Sequence, residues 1–284
     1  MRLDIFSIDM PQLGQSGRKV RVLLPPGYAD EPERRYPVLY MQDGHNLFDP
    51  GTATFGAHWR IGESLDELAA AGDTRRMIVV GVDCDHSREG LARLDEYSPW
   101  VNPRIALDLN RAAGVAAAGG KGEAYLSFLL ESLMPEIDRR YRTLRGPEST
   151  GIAGSSMGGL FSLWALYRAP KAFGLCGAFS SAFWFAKAEA LAALRAQWRP
   201  GASVYLDVGT AETSDDTKPD FARRYLQDTL DMRDELLKLG QPEAELLCAV
   251  DEGAEHSERA WARRFPRFAD WAMDRLEGSL DGRR

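Results

Sequence analysis

No stretch of this sequence stays apolar for the roughly 18 to 20 residues that crossing a bilayer requires, so a membrane span is not expected. Cysteine is scarce. Cys84, Cys176 and Cys248 are odd in number, widely spaced and flanked by apolar residues. That pattern predicts free buried thiols rather than a disulfide framework, and with them a reducing compartment. The opening MRLDIFSIDM interrupts its apolar residues with Asp4 and Asp9 and does not read as a secretory leader; a cytoplasmic location is the expectation. Positive charge is in deficit, 35 Lys and Arg against 42 Asp and Glu, a net charge of -7. This argues against nucleic acid or an anionic membrane as the main partner. Histidine occurs four times, at positions 45, 58, 86 and 256. No His-x-x-x-His or paired-cysteine spacing occurs, and Asp83-Cys84-Asp85-His86 is too local and mixed a run to be assigned a metal; none is expected.

What is present is ordinary for a globular enzyme, 44% apolar and 27% charged, in a chain of 284 residues that can bury a large core. Residues 3–8 and 19–24 alternate in the manner of an antiparallel pair. Short apolar runs at 37–41, 77–82, 151–154, 175–179, 204–208 and 245–250 fit buried parallel strands, whose two covered faces remove polar alternation. Helix-like segments lie between them at about 62–71, 123–141, 157–168, 217–239 and 257–275. Alternating strands and helices predict an α/β fold, a doubly wound, mostly parallel sheet with the opening pair as its antiparallel edge. One domain over 1–284 is expected, with irregular insertions at about 42–60 and 83–121. The second contains Pro99, Pro103 and the small-residue run 112–120, and its length predicts a functional excursion or a mobile flap.

The sharpest local signal is Gly154-Ser155-Ser156-Met157-Gly158-Gly159, which holds Gly-x-Ser-x-Gly in the single frame centred on Ser156. A strand-like run precedes it and a helix-like run follows, the setting of a nucleophile elbow. A serine at so sharp a turn has a strained backbone, and glycines two positions either side avoid collisions. The new helix then presents its first N–H groups, Met157 foremost, to a developing oxyanion. A serine needs a base. On this fold the order is serine, acid, histidine, and His256 is the one histidine after Ser156. It is expected in a loop six residues past the last strand. The acid belongs in the loop after 204–208, where Glu212 is the first choice and Asp207, in or at the end of the strand, the alternative; Asp215, Asp216 and Asp220 read as a solvated face.

These residues resemble a known group. Tyr36-Pro37-Val38-Leu39-Tyr40-Met41-Gln42-Asp43-Gly44 with Asn46-Leu47-Phe48-Asp49, then Arg93-Leu94-Asp95-Glu96-Tyr97-Ser98-Pro99, are similar to segments of the Putative esterase family, which includes enterochelin-esterase-like and esterase-D-like hydrolases. The run 152–160, Phe179-Ser180-Ser181-Ala182-Phe183-Trp184, Gly209-Thr210-Ala211-Glu212, and His256 ahead of Trp261 extend the resemblance over roughly 35–270. It implies an α/β-hydrolase with a Ser–Glu/Asp–His triad, no metal or organic cofactor, and a small-molecule ester as substrate. It also implies that the second oxyanion N–H comes from residues 43–46, Gly44 or His45. One departure is visible: the family commonly has His where Gln42 stands and Gln where His45 stands.

Gln42, Phe48, Trp100 and Trp184 are candidates for a substrate pocket, with plain packing the alternative for the aromatics. Phe55, Trp59 and Phe183 belong to the same aromatic-rich neighbourhood, whereas Trp164 reads as core, and His58 and His86 as surface or hydrogen-bonded loop residues. The expected activity is ester hydrolysis through an acyl-enzyme. Its rivals are an acyltransferase on the same scaffold and a non-catalytic binding protein that keeps the shape. Neither the particular ester nor an oligomeric state is specified by the sequence.

Overall fold

Runs with no polar alternation form strands covered on both faces. In the computed structural model, which describes residues 1–108 and 117–281 (backbone alone at Glu89 and 277–281), these are β3 Val38–Gln42, β4 Ile78–Val82, β7 Thr150–Ser155 and β8 Leu175–Phe179, every residue buried. They join β1 Arg2–Met10, β2 Gln15–Leu24, β9 Ser203–Ala211 and β10 Leu246–Glu255 in one eight-stranded sheet of order β1-β2-β4-β3-β7-β8-β9-β10. Pairing is antiparallel for β1·β2 and β2·β4 and parallel from β4 through β10. The expected α/β sheet with an antiparallel edge is what forms. A short ribbon, β5 Val101–Asn102 with β6 Ala118–Gly119, lies outside it.

The helices are α1 Ile61–Ala70, α2 Leu91–Glu96, α3 Ile105–Asp108, α4 Gly122–Phe128, α5 Met134–Arg140, α6 Met157–Arg168, α7 Lys187–Gln197, α8 Phe221–Leu239 and α9 Glu258–Asp281. A π-helical turn, Leu129–Leu133, joins α4 to α5 just ahead of Pro135, whose missing N–H a wider turn accommodates. Period-two alternation divides the core. Val38 and Tyr40 face one apolar cluster with α4 to α8, while Leu39 and Met41 face the other with α1 and α9. None of the helices among the described residues is long and apolar enough to cross a membrane.

Two expectations need correction. The last strand runs on to Glu255, with a register irregularity after Asp251, so His256 sits at the strand's end and not in a loop six residues beyond. Residues 83–108 are not irregular throughout: they contain α2, and Leu91, Ala92, Leu94, Asp95, Glu96, Tyr97 and Ser98 are buried. The small-residue run 112–120 falls mostly outside the described residues. Cys84 and Cys176 are buried and Cys248 half-buried, all three as free thiols.

The connectivity locates a crevice. From β3 the chain passes to β4 on one side, then returns across β3 to β7 on the other. Where strand order reverses in this way, the carboxyl ends of the two central strands open a gap for ligands. Here those ends carry Gln42 and Asp43 on one strand and Ser155 and Ser156 on the other.

Candidate active site

The turn from β7 into α6 is made by one residue. Ser156 has φ 57°, ψ −122°, a conformation costly for any side chain, and its N–H donates to Phe179 O at 2.9 Å across the sheet. The flanking glycines make the turn possible. A Cβ on Gly154 would stand 2.8 Å from Gln42 Cγ and 2.9 Å from Gly158 C, and one on Gly158 would stand 2.9 Å from Gln42 Cβ. As the first residue of α6, Met157 has an N–H with no partner inside the helix.

Ser156 and His256 line the same cleft, of about 560 Å³, with Met157, His45, Trp184 and Trp261 among its other walls. His256 Nδ1 is 2.5 Å from Glu212 Oε2. Glu212, fully buried just past the end of β9, accepts at Oε1 from the Ser180 hydroxyl (2.5 Å) and the Gly209 N–H (2.7 Å). Burial pushes this carboxyl up, but the hydrogen bond and charge of His256, with the Ser180 and Gly209 donors, hold it below the usual range. The imidazole is clamped between rings: Tyr225 lies 4.8 Å away and Trp261 meets it edge to face at 5.0 Å.

Asp207, the alternative acid, points elsewhere. Its oxygens accept from the Ser180 N–H (3.1 Å) and the Tyr205 hydroxyl (2.9 Å), and Arg264 Nη1 stands at 3.3 Å. Burial pushes its carboxyl up to about 7, only partly offset by Arg264 and Tyr205. Arg264 also donates to Ser180 Oγ (2.9 Å), as does the Trp261 indole (2.8 Å), so α9 braces the floor under Glu212.

The loop after β3 is the opposite wall. Asp43 adopts the left-handed conformation (φ 57°), and Arg93 grips its carboxylate with two bonds of 2.7 Å. Burial alone would push this carboxyl up, but the guanidinium holds it below the ordinary value. The Asp43 N–H donates to Tyr97 Oη (3.1 Å), while Glu96 pairs with Arg18 of β2 at 2.5 Å. The Arg-x-x-Glu-Tyr segment is thus a bracket for this loop. The Asn46 N–H is used within the turn, on Asp43 O at 2.8 Å, which leaves Gly44 and His45 as candidates for a free donor. Gly44 packs against the Gly81 backbone, where a Cβ would meet an atom at 2.6 Å.

Of the pocket candidates, Trp184 lines the cleft and three others do not. Gln42 is buried beneath the elbow, accepting from the Tyr125 hydroxyl at 2.7 Å. Phe48 packs on the core of α1 and α9. Trp100 borders a separate small apolar hollow with Trp164 and Phe183. Trp59 is core, against Phe179 and Trp261, and Phe55 stands exposed at the cleft mouth. His58 pairs with Glu63 at 3.1 Å. Sequence reasoning missed Tyr225, on a helix given no chemistry. Its hydroxyl shares a 2.5 Å hydrogen bond with Ser214, and its ring packs on His256. It missed Ser180 and Arg264 as well; helical spacing from Trp261 to Arg264 was the available signal for the latter.

A family model described as Putative esterase matches residues 12–270. The Bacillus subtilis (strain 168) protein named Uncharacterized protein YbbA is 27% identical over 267 residues, 93% of this chain and 95% of that one. Among solved structures, an IroE-like serine hydrolase from Shewanella oneidensis superposes with TM-score 0.69 at 21% identity, over 95% of this chain and 79% of that one. A ferulic acid esterase superposes with TM-score 0.67 at 18% identity, over 97% and 98%. At such identities the structural likeness concerns the fold.

Proposed function

The chain belongs to the Putative esterase family and is a carboxylic ester hydrolase, and we propose that it is a serine esterase with Ser156 as nucleophile, His256 as base and Glu212 as the acid. The observation that carries this reading is Ser156 held at φ 57° on the strand-to-helix turn, in one cleft with an imidazole whose Nδ1 is engaged by a buried carboxylate.

The Glu212 contact keeps the proton of neutral His256 on Nδ1, so Nε2 is the free acceptor. Nε2 takes the Ser156 proton as Oγ attacks the ester carbonyl. The N–H of Met157, with that of Gly44 or His45, holds the oxyanion of the tetrahedral intermediate. The imidazolium returns its proton to the departing alcohol. Water, deprotonated by the same nitrogen, then attacks the acyl-enzyme, and Ser156 recovers its proton as the acid leaves. A cleft of this size suits a small-molecule acyl ester, and ferulic acid esterases and siderophore hydrolases among the structural neighbours put aromatic acyl and siderophore-like esters first on a substrate panel.

Ser156→Ala is expected to lower turnover of p-nitrophenyl acetate by about 10³-fold or more with an unchanged thermal melt. Activity near the parent level in a folded variant would remove Ser156 from the role.

A further inference from the structure

A second constellation lies in the same wall, on side chains for which ester hydrolysis has no use. Parallel pairing of β3 with β4, Gln42 opposite Val82, starts two loops side by side. One brings His45, the other Cys84 and His86, and a donor atom from each lies within 4.8 Å of the others. Cys84 Sγ is 3.6 Å from His86 Nε2, and the two imidazoles meet edge to face at 4.5 Å. Around a tetrahedral zinc-like ion, with metal–sulfur bonds near 2.3 Å and metal–nitrogen bonds near 2.0 Å, sulfur and nitrogen stand about 3.6 Å apart. The cysteine–histidine edge already has that length. The other two edges, at most 4.8 Å long, must shorten by up to about 1.5 Å, which takes ring rotation at His45 as well as at the exposed His86.

The surroundings favour nitrogen and sulfur as the ligand set. Asp43 is held by Arg93, Asp83 by Arg21, and Asp85 by Gln15 and the Ser87 N–H. His45, only 6% exposed, engages Thr54 through Nε2 at 3.0 Å, while its Nδ1 is buried without a partner. A buried polar atom left in this way needs a partner, and a metal ion would supply one. His45 and His86 both line the cleft and give an ion its entry.

We propose that His45, Cys84 and His86 bind a borderline-soft divalent transition-metal ion of the Zn²⁺ class, with the fourth position open to the cleft. The Cys84 thiol gives its proton to solvent as the ion binds, and no electron is transferred. The ion ties the loop after β3 to the loop after β4. Binding does not depend on Ser156 being the nucleophile.

The test is titration of chelator-stripped protein with Co²⁺, read by near-ultraviolet absorption, followed by displacement with Zn²⁺ against a chromophoric chelator. The parent should bind one equivalent with a thiolate-to-cobalt charge-transfer band, bleached by Zn²⁺, and Zn²⁺ should raise its melting temperature. Cys84→Ser should lose the band. His86→Ala, at an exposed position and so without risk to folding, should bind Zn²⁺ at least about tenfold more weakly and gain no thermal stability from it. A parent that shows no charge-transfer band at saturating Co²⁺, or a His86→Ala variant that binds Zn²⁺ as tightly as the parent, would overturn the site.

Discussion

Replacing Glu212 by Gln changes one oxygen to an NH₂ group, and the surroundings dictate which. Oε1 accepts two hydrogen bonds, from Ser180 Oγ and the Gly209 N–H, so the amide oxygen must remain there. The NH₂ then faces His256 Nδ1, where the carboxylate oxygen stood at 2.5 Å. Two donors cannot share that gap. The imidazole proton moves to Nε2, which can then no longer accept from Ser156, and the carboxylate that stabilises the imidazolium is gone as well. In serine hydrolases with this arrangement the wrong tautomer costs about 10⁴-fold in turnover, and about 10³ to 10⁴-fold is expected here, equivalent to roughly 4–5.5 kcal/mol of activation free energy. The assay is steady-state hydrolysis of p-nitrophenyl acetate, with thermal unfolding alongside. Asp207→Asn is the control, because its contacts go to Ser180, Tyr205 and Arg264 and an amide can satisfy them; a loss below about tenfold is expected. Glu212→Gln retaining activity within about tenfold of the parent, or equal losses in the two variants, would refute the assignment.

Arg93→Met leaves the Asp43 carboxylate buried without its partner, and about 3 kcal/mol of stability should disappear, read from urea unfolding, together with at least a tenfold fall in turnover as the loop relaxes. A change within about 0.5 kcal/mol would mean that the bracket is not structural. Asp207 supplies a pH dependence. Burial raises its folded-state value from 3.8 to about 7, so its favourable contribution is full below the unfolded value and is lost as pH rises toward about 7. Asparagine does not ionise, so Asp207→Asn should lack this decline, and the parent's urea midpoint should fall relative to the variant's between about pH 4 and 7. Parallel curves would contradict it. Glu212, shifted the other way, contributes stability above its unfolded value of 4.5 that is lost as pH falls through its lower folded value, and it does so in both proteins.

Much of the scaffold was legible because local pattern and global fold agree. Residues 175–179 and 157–168 have the predicted bounds, since a run buried on both faces and a helix entered from a glycine-flanked serine leave little choice. The helix Lys187–Gln197 was not foreseen: it buries Ala190 and Leu194 alone, too thin a stripe to stand out in a sequence of alanines and charges. Aromatic identity grouped Trp184, Phe48 and Trp100, of which Trp184 alone lines the cleft, because a ring's chemistry does not encode the direction in which its strand or loop points it. Gln42 could have been placed by parity, as it shares a face with Val38 and Tyr40 and therefore lies under the elbow. The Ser180–Glu212–Arg264 contacts, and the approach of His45 to the local pair Cys84 and His86, join residues distant in sequence through strand register, which no local pattern carries.

Reaction with a fluorophosphonate, followed by intact mass and peptide mapping, asks most directly whether the Ser156 hydroxyl is the activated nucleophile. One adduct per chain is expected, on Ser156, and abolished in Ser156→Ala. A folded, ester-hydrolysing protein that takes up no probe, or carries it on another residue, would contradict the mechanism.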